Sequence, residues 1–217
     1  MNEDNINQNK IRELIKQAKS IGIIPNKVAG ADAFSAGVGL YKMLKERGKN
    51  VSFIYPGSKP EGAEDLIDDN EITKDIGTRK LMVSIDYSDT DASKVYYYTE
   101  NDTLHFTISP VKKDFDLTKI KSQIKGYDFD LIISVGAQVL EDFGSVSHEL
   151  KDNFNSTDII NIDNTNMNKR FGTVNLVDNT KDSLSLLVLN NAPFWGLNIS
   201  SKTAKALLTG VSHRSID

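Results

Sequence analysis

The hydrophobic positions of this chain alternate between short continuous apolar runs and stretches with helical spacing. Continuous runs of four or five apolar residues are typical of strands buried on both faces of a parallel sheet. Apolar residues that recur at i, i+3 and i+4 predict amphipathic helices. The runs predict strands over residues 21–24, 51–55, 131–135, 159–162 and 174–177, and the alternation of Leu81, Val83 and Ile85 predicts another strand over residues 80–87. The helical spacing predicts helices over residues 6–20, 33–47, 139–153, 183–190 and 201–211.

Two further segments, residues 94–99 and 104–109, alternate apolar and polar positions with a period of two. A polar joint of four residues, Glu100 to Thr103, separates them, and this pattern predicts an antiparallel hairpin. Alternating strands and helices favour an α/β fold. We therefore predict one domain over residues 1–217, a doubly wound, mostly parallel sheet with helices on both faces and an inserted antiparallel hairpin.

Composition narrows the classes of protein and of site. The chain has 217 residues and a formal net charge of -4, so a broad nucleic-acid-binding patch is not expected. It contains no cysteine, which excludes disulfides and thiolate chemistry and fits a cytoplasmic protein. No apolar run approaches the roughly 20 residues that a membrane span needs, so no membrane association is expected.

Polar residues that follow predicted strands are the candidates for chemistry, because open α/β sheets bind ligands at the carboxyl ends of strands. Asp163 ends the strand at 159–162 and either orients a ligand or bonds backbone amides in its own turn. Asp32 precedes the helix at 33–47 and either ligates a metal or, as we favour, caps that helix. The loop at Gly30 offers free amides to a phosphate, and Arg170 and Arg214 offer cations or simply remain solvated.

Four segments resemble the motifs of the DHH phosphoesterase family in order, spacing and flanking apolar pattern. They are residues 28–44, 130–144, 161–178 and 203–215. The resemblance implies the fold of a family whose members, such as the nanoRNases, hydrolyse phosphodiester bonds of short oligonucleotides and nucleotides. These members use two manganese or magnesium ions. Paired cations of this kind generate the attacking hydroxide and stabilise the leaving oxygen, and they require several carboxylate and imidazole ligands.

The resemblance also implies that most of those ligands are missing. The first-motif histidine falls at Asn26, and the first of the two aspartates of that motif falls at Gly30. The second-motif aspartate falls at Gly136, and the third-motif histidine ligand falls at Asn164. Asp32 keeps its carboxylate. Glycine and asparagine do not supply the anionic donors that two divalent cations need, so we expect no catalytic residues and no cofactor.

Asp163 matches the aspartate of the third motif, which in the family supports the site. The fourth-motif aspartate is not found, and His213 lies nearest to its position. The resemblance also implies a smaller substrate-binding domain, which we expect to be absent, either because this chain is a fragment of a two-domain protein or because that domain never existed here. We therefore predict a non-catalytic binding or interaction module, with a small nucleotide or phosphate as candidate ligand and a homodimer left open. The candidate residues for binding this ligand are Asn26, Gly30, Asp163, Asn164, Arg170, His213 and Arg214. The alternative is an active phosphoesterase that uses manganese or magnesium in a rearranged site with Asp32, Asp163 and His213.

Overall fold

A computed structural model describes residues 3–74, 76, 80–86, 88, 92–110, 114–126, 128–144, 146–147 and 157–214. The chain divides into two compact units. The larger unit comprises Met1–Gly77 and Tyr127–Asp217, and the smaller comprises Thr78–Gly126. The single domain predicted over residues 1–217 stays a prediction, because a division into compact units does not test it.

Ten strands and four α-helices form the described structure. The strands are β1 (Ile21–Pro25), β2 (Val51–Ile54), β3 (Ile72–Thr73), β4 (Lys80–Ile85), β5 (Ala92–Glu100), β6 (Thr103–Pro110), β7 (Ile120–Lys125), β8 (Leu131–Val135), β9 (Asp158–Asp163) and β10 (Val174–Val177). The helices are α1 (Glu3–Gln17), α2 (Gly30–Glu46), α3 (Leu184–Asn191) and α4 (Ser201–Arg214).

The larger unit is built on a six-stranded sheet in the order β10-β9-β8-β1-β2-β3, and every neighbouring pair is parallel. This confirms the predicted α/β class. Strand order reverses between β1 and β8, because the chain leaves β1 for β2 on one side and later adds β8 on the other. A reversal of this kind opens a crevice at the carboxyl ends of the two strands, where α/β proteins bind ligands.

Both faces of the sheet are buried, as the continuous apolar runs predict. Ile21 and Ile23 of β1 face a core that all four helices share, whereas Ile24 faces a second core on the opposite side. The second core contains Phe143 from a short 3₁₀ helix and Val146. Glycines let α2 sit close to its neighbours: a Cβ on Gly37 would lie 3.0 Å from Pro25.

Three local predictions differ from the structure. Within the helix predicted over residues 139–153, the structure has a 3₁₀ helix at Leu140–Phe143 that ends at Gly144 with φ 60°, and residues 145 and 148–153 of that range lie outside the described part. Strand β3 is not predicted because it has only two residues. Strand β7 is not predicted because its isoleucines are separated by lysine, serine and glutamine.

The smaller unit contains two separate antiparallel pairs, β4 with β7 and β5 with β6. The second pair confirms the predicted hairpin. Its turn is tighter than the four-residue joint: Asn101 and Asp102 both have positive φ, 48° and 60°, the geometry of a two-residue type I′ turn. Among the residues described, no helix is long and apolar enough to cross a bilayer.

Candidate functional site

The crevice between β1 and β8 is closed by the protein's own atoms. Asn26, which follows β1, donates a hydrogen bond from Nδ2 to the carbonyl of Gly136 across the crevice, 2.8 Å away. Gly136 has φ +78°, and a Cβ at this position would lie 2.8 Å from Cδ1 of Leu184 and 3.0 Å from Cβ of Ala29. The space that a ligating side chain at position 136 would need is therefore filled by apolar carbon.

Asp32 is buried, and its carboxylate binds the start of another helix. Oδ1 accepts from Oγ of Ser183 at 2.9 Å and from N of Ser185 at 3.0 Å, and Oδ2 accepts from N of Leu184 at 2.7 Å. The backbone amides belong to the first turn of α3, where a negative charge is favoured by the helix dipole. Asp32 thus stabilises the N-terminus of α3.

The prediction that Asp32 caps its own helix is wrong. Helix α2 begins at Gly30, so Asp32 lies inside its first turn, and the residue before the helix, Ala29, makes no side-chain cap. An aspartate in the first turn still favours α2 through the dipole. Its oxygens, however, are directed at donors 151 to 153 residues away in the sequence.

Asp163 and Asn164 maintain the turn that follows β9. Oδ1 of Asp163 accepts from N of Asn164 at 2.9 Å, and Oδ2 accepts from Oγ1 of Thr165 at 2.7 Å and from Nδ2 of Asn168 at 2.8 Å. Asn164 donates from its side chain to the carbonyl of Lys181 at 3.0 Å. Both of the predicted site residues are buried and bonded within the protein.

The remaining four candidates lie on three different elements. Gly30 begins α2 with φ +65°, which glycine adopts readily. Arg170 is exposed in the loop between β9 and β10, with φ 52°. His213 lies near the end of α4, and its Nδ1 is 2.8 Å from the carbonyl oxygen of Thr209. Arg214 is the last residue of α4, and its side chain lies outside the described part.

The donors present do not fit a pair of divalent cations. Within the part of the chain that the structure describes, no three His, Asp or Glu side chains come together as a metal site. The oxygens of Asp32 and Asp163 already accept three hydrogen bonds in each case. A two-metal centre needs several converging anionic ligands, and the described bonds of these aspartates and of His213 join none of them to another.

A polar cavity of about 530 Å³ lies beside β10, in the larger unit. Arg170 and Lys181 both line it, together with Asp178, Asn175 and Phe194. Hydrogen bonds from Thr180 lower the pKa of the Asp178 carboxyl, so this group is ionised at neutral pH. Two cationic side chains and one carboxylate therefore share the cavity, which is a plausible size for a small ligand.

Several residues of these sites are not predicted from the sequence. Ser183 and Ser185 hold Asp32, and the only local signal is that Ser183 is a typical N-cap, whose Oγ also accepts from N of Leu186 at 3.2 Å. Lys181 and Asn175 line the cavity together because β10, α3 and the first turns of α1 fold beside one another. Their sequence neighbourhood contains no motif that marks them.

The architecture is that of a parallel α/β domain, and solved structures share it. One is the crystal structure of an exopolyphosphatase-related protein from Bacteroides fragilis, with a TM-score of 0.66 and 16% sequence identity. The match covers 97% of this chain and 50% of that one, so this chain spans about half the length of that protein. At this identity the likeness establishes a shared fold. No protein-family model and no curated protein matches the sequence.

Proposed function

We propose that this chain is a phosphoesterase-like domain of the DHH type that has lost its two-metal hydrolase centre. In this proposal it acts in the cytoplasm as a non-catalytic binding module. The shared fold with an exopolyphosphatase-related protein supports the phosphoesterase-like origin. The loss of hydrolysis is inferred from the crevice residues.

The observation that carries the proposal is the environment of Asp32. This is the one carboxylate that the resemblance retains among the expected metal ligands, and it accepts hydrogen bonds from Ser183, Leu184 and Ser185. Three of its roughly four acceptor positions are therefore occupied, and a metal ion that displaced the two backbone amides would leave each of them buried without a partner, at a cost of about 1–3 kcal/mol each. Beside it, Leu184 packs against Gly136, where the resemblance expects a second ligand.

Titration with Mn²⁺ by calorimetry, paired with a hydrolysis assay on a dinucleotide, tests the loss of catalysis. We expect no saturable stoichiometric heat and no turnover with Mn²⁺ or Mg²⁺. Asp32→Asn and Asp163→Asn serve as variants, because each removes one carboxylate of the alternative, rearranged centre. Stoichiometric Mn²⁺ binding with turnover that both variants abolish would refute the proposal in favour of an active phosphoesterase.

For the binding role, the proposed ligand is a small phosphate-bearing molecule such as a nucleotide. The cavity beside β10 supports this choice, because Arg170 and Lys181 line it together, and arginine binds phosphate oxygens in a bidentate manner. Phe194, which is exposed, offers a ring on which a base can stack. The ionised Asp178 opposes an anion there, so the net attraction is that of about one positive charge.

Binding of the dinucleotide, followed by calorimetry or by chemical shifts, tests this role. Arg170→Gln should weaken binding about tenfold, the usual effect of losing one charge-assisted pair. Asp178→Asn should strengthen binding, because it removes the opposing carboxylate. Lys202→Gln is the control: it also removes one positive charge, at an exposed residue in the first turn of α4 that does not line this cavity. Equal effects of Arg170→Gln and Lys202→Gln would refute a site in this cavity.

A further inference from the structure

The smaller unit has no buried side chain among its described residues. Every described position from Lys80 to Gly126 whose side chain is characterised is exposed or half-buried. A two-stranded hairpin is only marginally stable in water unless its apolar face packs against another surface. This unit contains two such pairs. Another surface packed against them would bury the apolar side chains that are now exposed to water.

The apolar side chains of the hairpin of β5 and β6 are sorted onto one face. Val95 and Tyr97 of β5 lie on the same face as their cross-strand neighbours, because opposite residues of an antiparallel pair point the same way. Tyr97 pairs with Phe106, and Thr99 pairs with Leu104. We call the patch formed by Val95, Tyr97, Leu104 and Phe106 the apolar face. The exposed fractions of these four residues are 62%, 76%, 52% and 60%.

The opposite face of the same hairpin is more polar. Tyr96 pairs with Thr107, and Tyr98 pairs with His105, with the rings of the latter pair stacked 4.7 Å apart. Large contiguous apolar patches are uncommon on monomeric proteins and mark interaction sites. The aliphatic side chains Val95 and Leu104 and the ring of Phe106 all lie on the apolar face, and this sorting indicates a docking surface there.

We infer that the apolar face is a homodimer interface, in which the apolar face of a second copy of this chain packs against it. Two features support a second copy. A two-fold axis lets one patch meet itself, so a single apolar face is enough to form a closed interface. The hairpin also carries a formal charge of only -1, from Lys94 against Glu100 and Asp102, so the repulsion between two copies is weak.

The area is consistent with this partner. Since one aromatic side chain buries about 150–250 Å², the four residues offer about 400 Å² per copy at their observed exposure. Two copies would bury about 800 Å² from the apolar face alone, and the polar rim would add the rest of the 1,200–2,000 Å² typical of stable interfaces. The near-neutral charge argues against nucleic acid as the partner, because phosphate binding requires clustered Lys and Arg.

Sedimentation velocity of the full chain over a wide range of concentration tests the inference. We expect a reversible dimer. Tyr97→Ser and Phe106→Ser should each raise its dissociation constant about tenfold or more, as loss of a central aromatic does. Tyr96→Ser is the matched control, since it is the same change at the next residue, on the opposite face with 54% exposure. It should change the constant less than about twofold.

Cysteine trapping provides a second measurement, because the chain has no cysteine of its own. Thr99→Cys lies on the side of the apolar face, and Thr107→Cys lies on the opposite side. Under mild oxidation, Thr99→Cys should form a disulfide-linked dimer several-fold faster than Thr107→Cys. Both positions are exposed, so neither substitution should prevent folding, which circular dichroism would verify.

Three outcomes would overturn the inference. The first is a wild-type chain that stays monomeric at every concentration. The second is an equal effect of serine at Tyr96 and at Tyr97. The third is slow amide exchange over β5 and β6 that does not depend on protein concentration, since that would show the apolar face to be covered within one chain. The inference is independent of the proposed ligand cavity, whose variants should leave the dimer unchanged.

Discussion

Replacing Asp32 is the most direct way to test how the crevice is held closed. Asp32→Ala removes the acceptor of two amides and one hydroxyl, all buried. A hydrogen bond to a charged group contributes about 1.5–3 kcal/mol, and each buried donor left without a partner costs about 1–3 kcal/mol. Ser183 can rotate toward another acceptor, so we expect the free energy of unfolding to fall by about 3–5 kcal/mol. Asp32→Asn keeps the shape and one acceptor, and should cost about 2 kcal/mol.

Urea denaturation followed by tryptophan fluorescence provides the measurement, because the only tryptophan, Trp195, is buried in the core that the helices share. Asp130→Asn is the control. Its carboxylate also accepts two backbone amides, from Lys19 and from Ser20, each at 2.9 Å, but at an exposed site. We expect that change to cost about 1 kcal/mol or less, since water replaces the lost bonds.

The urea denaturation of each variant is measured once in EDTA and once with Mn²⁺. If Asp32 stabilises α3 through hydrogen bonds, the Asp32→Asn variant loses the same amount of unfolding free energy in both conditions. A metal ligand behaves differently: its removal costs stability only when the metal is present, because binding to the native state alone adds stability by mass action. A loss that appears only with Mn²⁺ would refute the structural role assigned to Asp32.

Three further predictions concern packing and titration. Gly210→Ala should destabilise the protein by about 1–3 kcal/mol in urea unfolding, because the new Cβ would fall on Oγ of Ser185; a gain in stability, as for an exposed helix, would contradict this. Gly136→Asp should restore no Mn²⁺ binding by calorimetry and should lower the thermal midpoint, because φ is +78° and its Cβ space is filled. Burial and the bond to Glu71 raise the pKa of Tyr41 from 10.0 to about 12. The unfolded chain then releases this proton first, so stability should fall as pH rises from about 10 to about 12, by about 1–2 kcal/mol. Tyr41→Phe should lack that part of the decline in alkaline unfolding curves.

The sheet is predictable from the sequence because its central strands are buried on both faces. A strand such as β8 must be apolar at every position except Ser134, and a continuous run of this kind has few alternatives. Strand β7 is different, since it is exposed and its isoleucines are diluted by polar residues. Its pairing with β4 spans about forty residues of sequence, and periodicity within a window contains no information about such a partner.

The site is less predictable, because capping rules describe only a residue and the helix next to it. Asp32 satisfies the local pattern of an N-cap, yet its acceptors serve α3, whose first residue is Leu184. Likewise, the sequence does not explain why position 136 is a glycine. The structure explains it, because Leu184 and Ala29 occupy the space that a side chain would need. Both facts depend on contacts between elements that are about 50 to 150 residues apart in the sequence.

A carboxylate at the position of an expected metal ligand is therefore weak support for a metal site until its hydrogen-bond donors are counted. The oxygens of Asp32 accept from two amides and one hydroxyl of a helix N-terminus. At two other positions where the resemblance expects ligands, Asn26 bonds to the carbonyl of Gly136, and Cδ1 of Leu184 occupies the space that a Cβ on Gly136 would need. These contacts depend on one another, because a ligating side chain at position 136 would displace Leu184, whose backbone amide bonds to Asp32. Introducing one ligand alone should therefore disrupt the packing between β1 and β8 without forming a metal centre.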